Sequence, residues 1–192
     1  GLTRFKKDEF DAALQSFDKA IAIDAEFAKP YLGKAYVFFK KDDADAMKEA
    51  VDMAIAKGEA AGDEKTVSSA KEQGYKGFLI KGQKAIQGSD YKAAEGFLVQ
   101  AAAYDDSDAN LHYLLAVTYN KLGKSDDALA EAGKAIEKEE APDKLAAMYF
   151  ELATAHEKKG DSAAACEAYS KALNGPNGAA AKYQMEEVLK CN

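Results

Sequence analysis

The side chains with the most reactive chemistry are few: His112, His156, Cys166 and Cys191, set among short acidic runs at Asp42, Asp43 and Asp45, at Asp105, Asp106 and Asp108, and at Glu137, Glu139 and Glu140. A metal site would need further histidines or carboxylates converging on the imidazoles, and no His-x-x-x-His or Cys-x-x-Cys spacing occurs. Glu151 and Glu157 beside His156 do not complete such a set. The acidic runs lack the Asp-x-Asp-x-Asp-Gly order of a calcium loop, and their place near expected helix ends suits capping and solvation. Nucleophilic hydrolysis would call for a Gly-x-Ser-x-Gly elbow and phosphate chemistry for a glycine-rich loop ending in Lys-Ser/Thr; neither is present. The expectation is therefore no catalytic residue, no metal, no cofactor and no enzyme. The two cysteines leave two readings open, a bridge in an oxidising compartment or a pair of free thiols.

What must position these residues is helix. The 192 residues include forty alanines, with 47% hydrophobic and 31% charged side chains, and no tryptophan. Alanine, lysine and glutamate at this density favour helix, and the apolar content is too high for a disordered polyampholyte. No stretch approaches the roughly 18 uninterrupted apolar residues of a membrane span. The net charge is −7 and Arg4 is the only arginine, so a phosphate-backbone binder is not expected and no nucleic acid is expected as a partner.

The apolar pattern repeats. Ala13, Phe17, Ala20 and Ile21 make a stripe at helical spacing. Adding 34 gives Met47, Val51, Ala54 and Ile55. A third copy is Ala94, Leu98, Ala101 and Ala102, a fourth Ala128, Ala132, Ala135 and Ile136, and a fifth Ala165, Tyr169, Ala172 and Leu173. Each later copy follows another amphipathic segment and a turn, such as Leu111 to Gly123 before the fourth, where Ser125 or Asp126 can cap the next helix. The units are helix–turn–helix pairs.

A two-helix repeat of about 34 residues resembles the tetratricopeptide repeat (TPR). In the fourth unit the family pattern is carried by Leu115, Ala116, Tyr119, Ala128 and Ala135, and in the fifth by Tyr149, Leu152, Ala153, Ala165, Tyr169 and Ala172. His112, His156 and Ala132 stand where the pattern has aromatic residues. The small residues let helix backbones approach while the bulky ones fill the space beside them. The resemblance implies an all-α fold, a right-handed α-α superhelix (a TPR solenoid) of antiparallel helix pairs ending in a capping helix. The expected divisions are a partial repeat at 1–27, repeats at 28–61, 75–108, 109–142 and 146–178, an insertion at 62–74, and a capping helix and tail at 179–192. The insertion is expected to lengthen a helix pair or add a short helix. The capping helix, Ala179–Lys190, is expected to expose Lys182, Gln184, Glu186 and Glu187. The partial first unit, with Leu2–Lys7 as the remnant of a helix, is expected to have sequence upstream of it.

The resemblance also implies where a ligand binds. TPR grooves are lined by first helices, and the matching positions are Lys29, Leu32, Tyr36, Phe39 and Lys40; Lys76, Leu79, Gln83, Ile86 and Gln87; Asn110, Tyr113, Val117, Asn120 and Lys121; and Phe150, Thr154, Glu157 and Lys158. Aromatic rings with lysine and amide edges suit an extended peptide or a partner helix; the other reading is that the rings pack on neighbouring repeats. The carboxylate clamp of some TPR proteins is missing, because Leu32, Tyr36, Ile80, Asn110 and Leu114 occupy its positions. The expected function is a non-catalytic scaffold for a protein or peptide partner, with self-association through the solenoid faces as the alternative. Cys166 in the last repeat and Cys191 after the capping helix would come together, a bridge contributing roughly 3–3.5 kcal/mol in the chain-entropy model. The ending Cys191-Asn192 after an alanine-rich helix resembles exported bacterial TPR proteins, which favours the bacterial periplasm or export over the cytoplasm.

Overall fold

The computed structural model describes residues 7–191. Ten α-helices and a short π-helical turn appear among them, and no strand: α1 Lys7–Ile23, α2 Ala28–Lys40, α3 Ala44–Ala61, α4 Glu64–Gln87, α5 Tyr91–Tyr104, α6 Ala109–Leu122, α7 Ser125–Lys138, α8 Pro142–Lys158, α9 Ser162–Ala172, α10 Gly178–Tyr183 and the π turn Gln184–Val188. Neighbouring helices pack as antiparallel pairs, α2 on α3, α6 on α7 and α8 on α9. The chain divides into two compact units, Gly1–Phe78 and Leu79–Asn192, with the division falling in the sequence of α4. The helix remnant expected at Leu2–Lys7 lies outside the described residues, except for Lys7, which opens α1.

The repeated stripe is the core. Met47, Val51 and Ala54 in α3, Ala94, Leu98 and Ala101 in α5, Ala128, Ala132 and Ala135 in α7, and Ala165, Tyr169 and Ala172 in α9 are all fully buried. The fourth member of each set lies at the edge: Ile55, Ala102 and Ile136 are half-buried and Leu173 is exposed. In α1 the whole stripe, Ala13, Phe17, Ala20 and Ile21, is only half-buried. Alanine at these places buries little apolar area but keeps paired helix axes close, so the bulkier partners make contact.

The turn inside each helix pair follows one recipe. A residue in the left-handed region ends the first helix and the next residue opens the second. The left-handed residues are Asp42 (φ 61°), Ser89 (φ 59°), Gly123 (φ 74°) and Gly160 (φ 80°). Asp43, Asp90 and Asp161 then accept hydrogen bonds from the backbone N–H of Ala46, Ala93 and Ala164, satisfying donors that a helix start leaves unpaired. The α7 start differs from expectation: Lys124 holds the cap position with no side-chain cap, and Ser125 and Asp126 lie inside the helix.

Residues 62–74 form no separate helix. Gly62 (φ 67°) closes α3, and Asp63 caps α4 through the Thr66 N–H at 3.1 Å and the Thr66 hydroxyl at 2.7 Å. The extra residues lengthen α3 and α4 to 18 and 24 residues. At the other end, the segment expected as one helix is α10 followed by the π turn. Ala181, Met185 and Leu189 pack against Tyr169 and Ala172, covering the apolar face of α9. Lys182, Glu186 and Glu187 are exposed, whereas Gln184 is half-buried with a buried Oε1. Cys166 and Cys191 lie at disulfide distance, with Cα atoms 5.8 Å apart.

Candidate functional site

In the first unit, α2 presents Lys29, Leu32, Tyr36 and Lys40 at intervals of three or four residues, one face of a helix. Lys29, Leu32 and Tyr36 line a hollow of about 540 Å³ together with Gly33 and Val37. Helix α1 contributes Ala13 and Phe17 to its wall, and α4 contributes Ser69, Glu72, Gln73 and Lys76. Gly33 lets the Phe17 ring lie directly on α2: a Cβ there would sit 2.3 Å from the ring. Phe39 does not reach the hollow; its ring approaches Gly77 of α4. The Lys40 ammonium stands 5.3 Å from the Tyr36 ring centre and 5.4 Å from that of Phe39, cation–π distances. Lys76 pairs with Glu72.

The second unit distributes its expected binding residues differently. Leu79, Gln83 and Ile86 are half-buried along the end of α4, and Gln87 is exposed. On α6, Asn110 and Lys121 are exposed and Tyr113 and Val117 half-buried. Asn120 is not on an open surface: it is 2% exposed, and its amide donates to the Glu151 carbonyl at 2.9 Å and to Glu151 Oε2 at 2.8 Å. The Lys158 ammonium donates to the Asn120 backbone carbonyl. These groups tie α6 to α8. Burial raises the Glu151 carboxyl above its usual range, against the opposing pull of the Asn120 hydrogen bond, Lys121 and Lys158. The Tyr113 hydroxyl is raised by burial and then by the Glu151 charge.

Phe150, Thr154 and Glu157 turn toward Tyr169 of α9. The Phe150 and Tyr169 rings meet edge to face with centroids 5.5 Å apart. The Tyr169 hydroxyl donates to Glu157 Oε2 at 2.6 Å and lies 3.4 Å from the Thr154 hydroxyl. Burial, followed by the Glu157 hydrogen bond, raises the Tyr169 hydroxyl strongly. These three side chains therefore hold the last helix pair together.

His112 is 2% exposed, with Nδ1 2.6 Å from Glu131 Oε2 and Nε2 2.7 Å from the Asp106 carbonyl. It packs where the repeat pattern has an aromatic ring. His156 is half-buried, with Asp161 Oδ2 3.9 Å away. Among the described residues, no three His, Cys, Asp or Glu side chains converge as a metal site. None of the described helices is long and apolar enough to cross a membrane.

The hollow brings together four residues expected from the sequence, Lys29, Leu32, Tyr36 and Lys76, and adds seven that reasoning from the repeat positions missed. Ala13 and Phe17 were assigned to the core of α1, and Ser69, Glu72 and Gln73 lie in the inserted turns of α4, where no family position points.

Comparison with known proteins places the fold. The family model described as tetratricopeptide repeat matches residues 146–174. No curated protein sequence matches the chain significantly. The crystal structure of YrrB, described as a TPR protein with an unusual peptide-binding site, is similar at 20% identity and a TM-score of 0.54, over 93% of this chain and 84% of that one. The Cut9–Hcn1 hetero-tetramer of the APC/C is similar at 19% identity and a TM-score of 0.50, over 86% of this chain and 30% of that one. At these identities the likeness is one of fold.

Proposed function

We propose that this tetratricopeptide-repeat protein is a non-catalytic interaction scaffold, and that the hollow beside α2 holds a segment of a protein partner, as an extended peptide or a helix. The observation that carries the reading is the hollow itself: about 540 Å³, lined by the apolar Phe17, Leu32, Tyr36 and Val37 together with the charged Lys29, Glu72 and Lys76. Apolar walls with a few convergent polar groups are the usual make-up of a binding cleft of this size. YrrB is described as binding peptide on the same fold, which is analogy only; the lining residues of this chain are the argument. In the second unit, Tyr113 and Val117 offer a further half-buried apolar face. The alternative role, self-association, draws on exposed apolar side chains at the end of that unit, Leu173, Tyr183 and Val188.

A photo-crosslinking residue at Leu32 tests the reading, with a matched probe at exposed Glu49 of α3 as control. Protein bands from native extract that arise at position 32, are missing at position 49, and fade when Tyr36→Ala is added are the expected result. Identical bands from both positions would remove the hollow as a binding site. Light scattering across concentrations addresses the alternative: mass rising with concentration, together with a homodimeric crosslink as the only product, would establish self-association instead.

A further inference from the structure

We propose that the occupant of the α2 hollow is an acidic amphipathic segment, with large apolar side chains between carboxylates that meet Lys29 and Lys40; this rests on the hollow being the binding site. The chain as a whole is acidic, 33 carboxylate residues against 26 basic ones. This face departs from that balance. Its charged residues are Lys29, Lys76 and Glu72 in the lining, with Lys40 beside Tyr36 at the end. Glu72 is already paired with Lys76. Lys29 and Lys40 are both exposed, and among the described residues neither forms an ion pair with a carboxylate, although Asp63 feels the Lys29 charge. The Lys40 ammonium lies at cation–π distance from both the Tyr36 and the Phe39 rings, contacts that hold it without neutralising it.

The spacing defines the partner further. Lys29 and Lys40 are eleven positions apart on one helix, about 16 Å at the helical rise of about 1.5 Å per residue. An extended segment covers that distance in about five residues at roughly 3.3 Å each. The matching ligand thus carries carboxylates at the two ends of a short run whose apolar side chains enter between Phe17, Leu32 and Tyr36. Lysines at the rim of an apolar cleft select sign and speed association, while the floor supplies most of the binding energy.

The test is a fluorescence-anisotropy titration of the intact protein with three labelled synthetic peptides of one length: aspartates flanking leucine and phenylalanine, lysines flanking the same core, and aspartates flanking a serine core. The expected order places the aspartate–apolar peptide first by at least about tenfold, with affinity falling as salt rises. Lys29→Glu/Lys40→Glu, two exposed changes that leave the helical circular dichroism intact, is expected to reverse the preference between the two apolar peptides. Leu32→Ser should weaken both apolar peptides. Equal binding of the two apolar peptides, lost on Leu32→Ser and indifferent to the charge swap, would overturn the acidic partner and leave the hollow as a binding site. No binding by any peptide, with no crosslink at position 32 except to a second copy, would overturn both.

Discussion

Glu151 shows how one side chain can serve an interface between helices and still work against stability. Its carboxyl is withdrawn from water between α6 and α8, and burial raises its pKa in the folded state above that of the unfolded chain. The folded protein therefore binds the Glu151 proton more tightly. This contribution is fully present below the unfolded carboxyl range and is lost as pH rises through the higher folded value. At neutral pH the buried charge is a burden that the Asn120 amide, at 2.8 Å, and the nearby lysines offset only in part. Glu151→Gln keeps an acceptor for Asn120 without the charge. Urea melts are expected to find this variant at least as stable as the wild type at pH 7, with its relative advantage shrinking toward pH 4. A variant less stable at pH 7 by the same margin as at pH 4 would mean that ionisation of Glu151 is immaterial. Asn120→Ala is not an equivalent probe, because it removes the bond to the Glu151 carbonyl as well.

At the scale of elements, the helix-pair turns make the same bend with different residues, and the sequence offers its own controls. Ser89 at φ 59° bears a side chain in a region that L-residues avoid, while Gly123 at φ 74° does not. A Cβ on Gly123 would meet nothing within 4 Å, so its substitution reads backbone preference alone. The left-handed conformation costs a non-glycine residue roughly 1–2 kcal/mol, and glycine's extra freedom in the unfolded chain takes back about 0.4–1 kcal/mol. Ser89→Gly is expected to stabilise by about 0.5–1 kcal/mol and Gly123→Ser to destabilise by a similar amount, both measured by chemical denaturation. Equal signs for the two would show that the turns are not equivalent. Most of the elements were legible for the same reason that these turns can be compared. Helical periodicity and a repeated interval marked Met47, Ala94, Ala128 and Ala165 as core without any knowledge of their partners. Where a local rule had competitors it failed: Ser125 is a good capping residue, but Lys124 takes the cap position and engages Glu95 of α5. The π turn at Gln184–Val188 left no mark in the sequence, since its apolar spacing is compatible with an ordinary helix. Site residues were less legible than core residues because repeat positions predict which face of a helix a side chain occupies, not what covers it. Asn120 and Thr154 sit on the expected helices, yet Glu151 and Tyr169 already occupy them.

At the scale of the whole molecule, repeat architecture makes stability a sum of local pairings, so damage at one end is expected to stay there. The Cys166–Cys191 pair is the sharpest place to test this. It joins α9 to the tail across 25 positions of sequence, over the contacts of Ala181, Met185 and Leu189 with Tyr169. A cross-link of that span contributes about 3.5 kcal/mol in the chain-entropy model. The segment it retains is weak by itself: α10 has six residues, far fewer than an isolated helix needs in water. Reduction by a dithiol should therefore raise amide hydrogen exchange across Ser162–Cys191, including the Tyr169 turn that loses its cover. Ala44–Ala61 in the first unit, whose core is Met47, Val51 and Ala54, should exchange at an unchanged rate. Thiol titration of the denatured, unreduced protein is the companion measurement, with no reactive thiol expected; two would mean that the cysteines are close but unbonded. Uniform loss of protection along the chain would show that the helices unfold as one cooperative body. No change anywhere would show that apolar contacts with Tyr169 hold the tail without help from the cysteines.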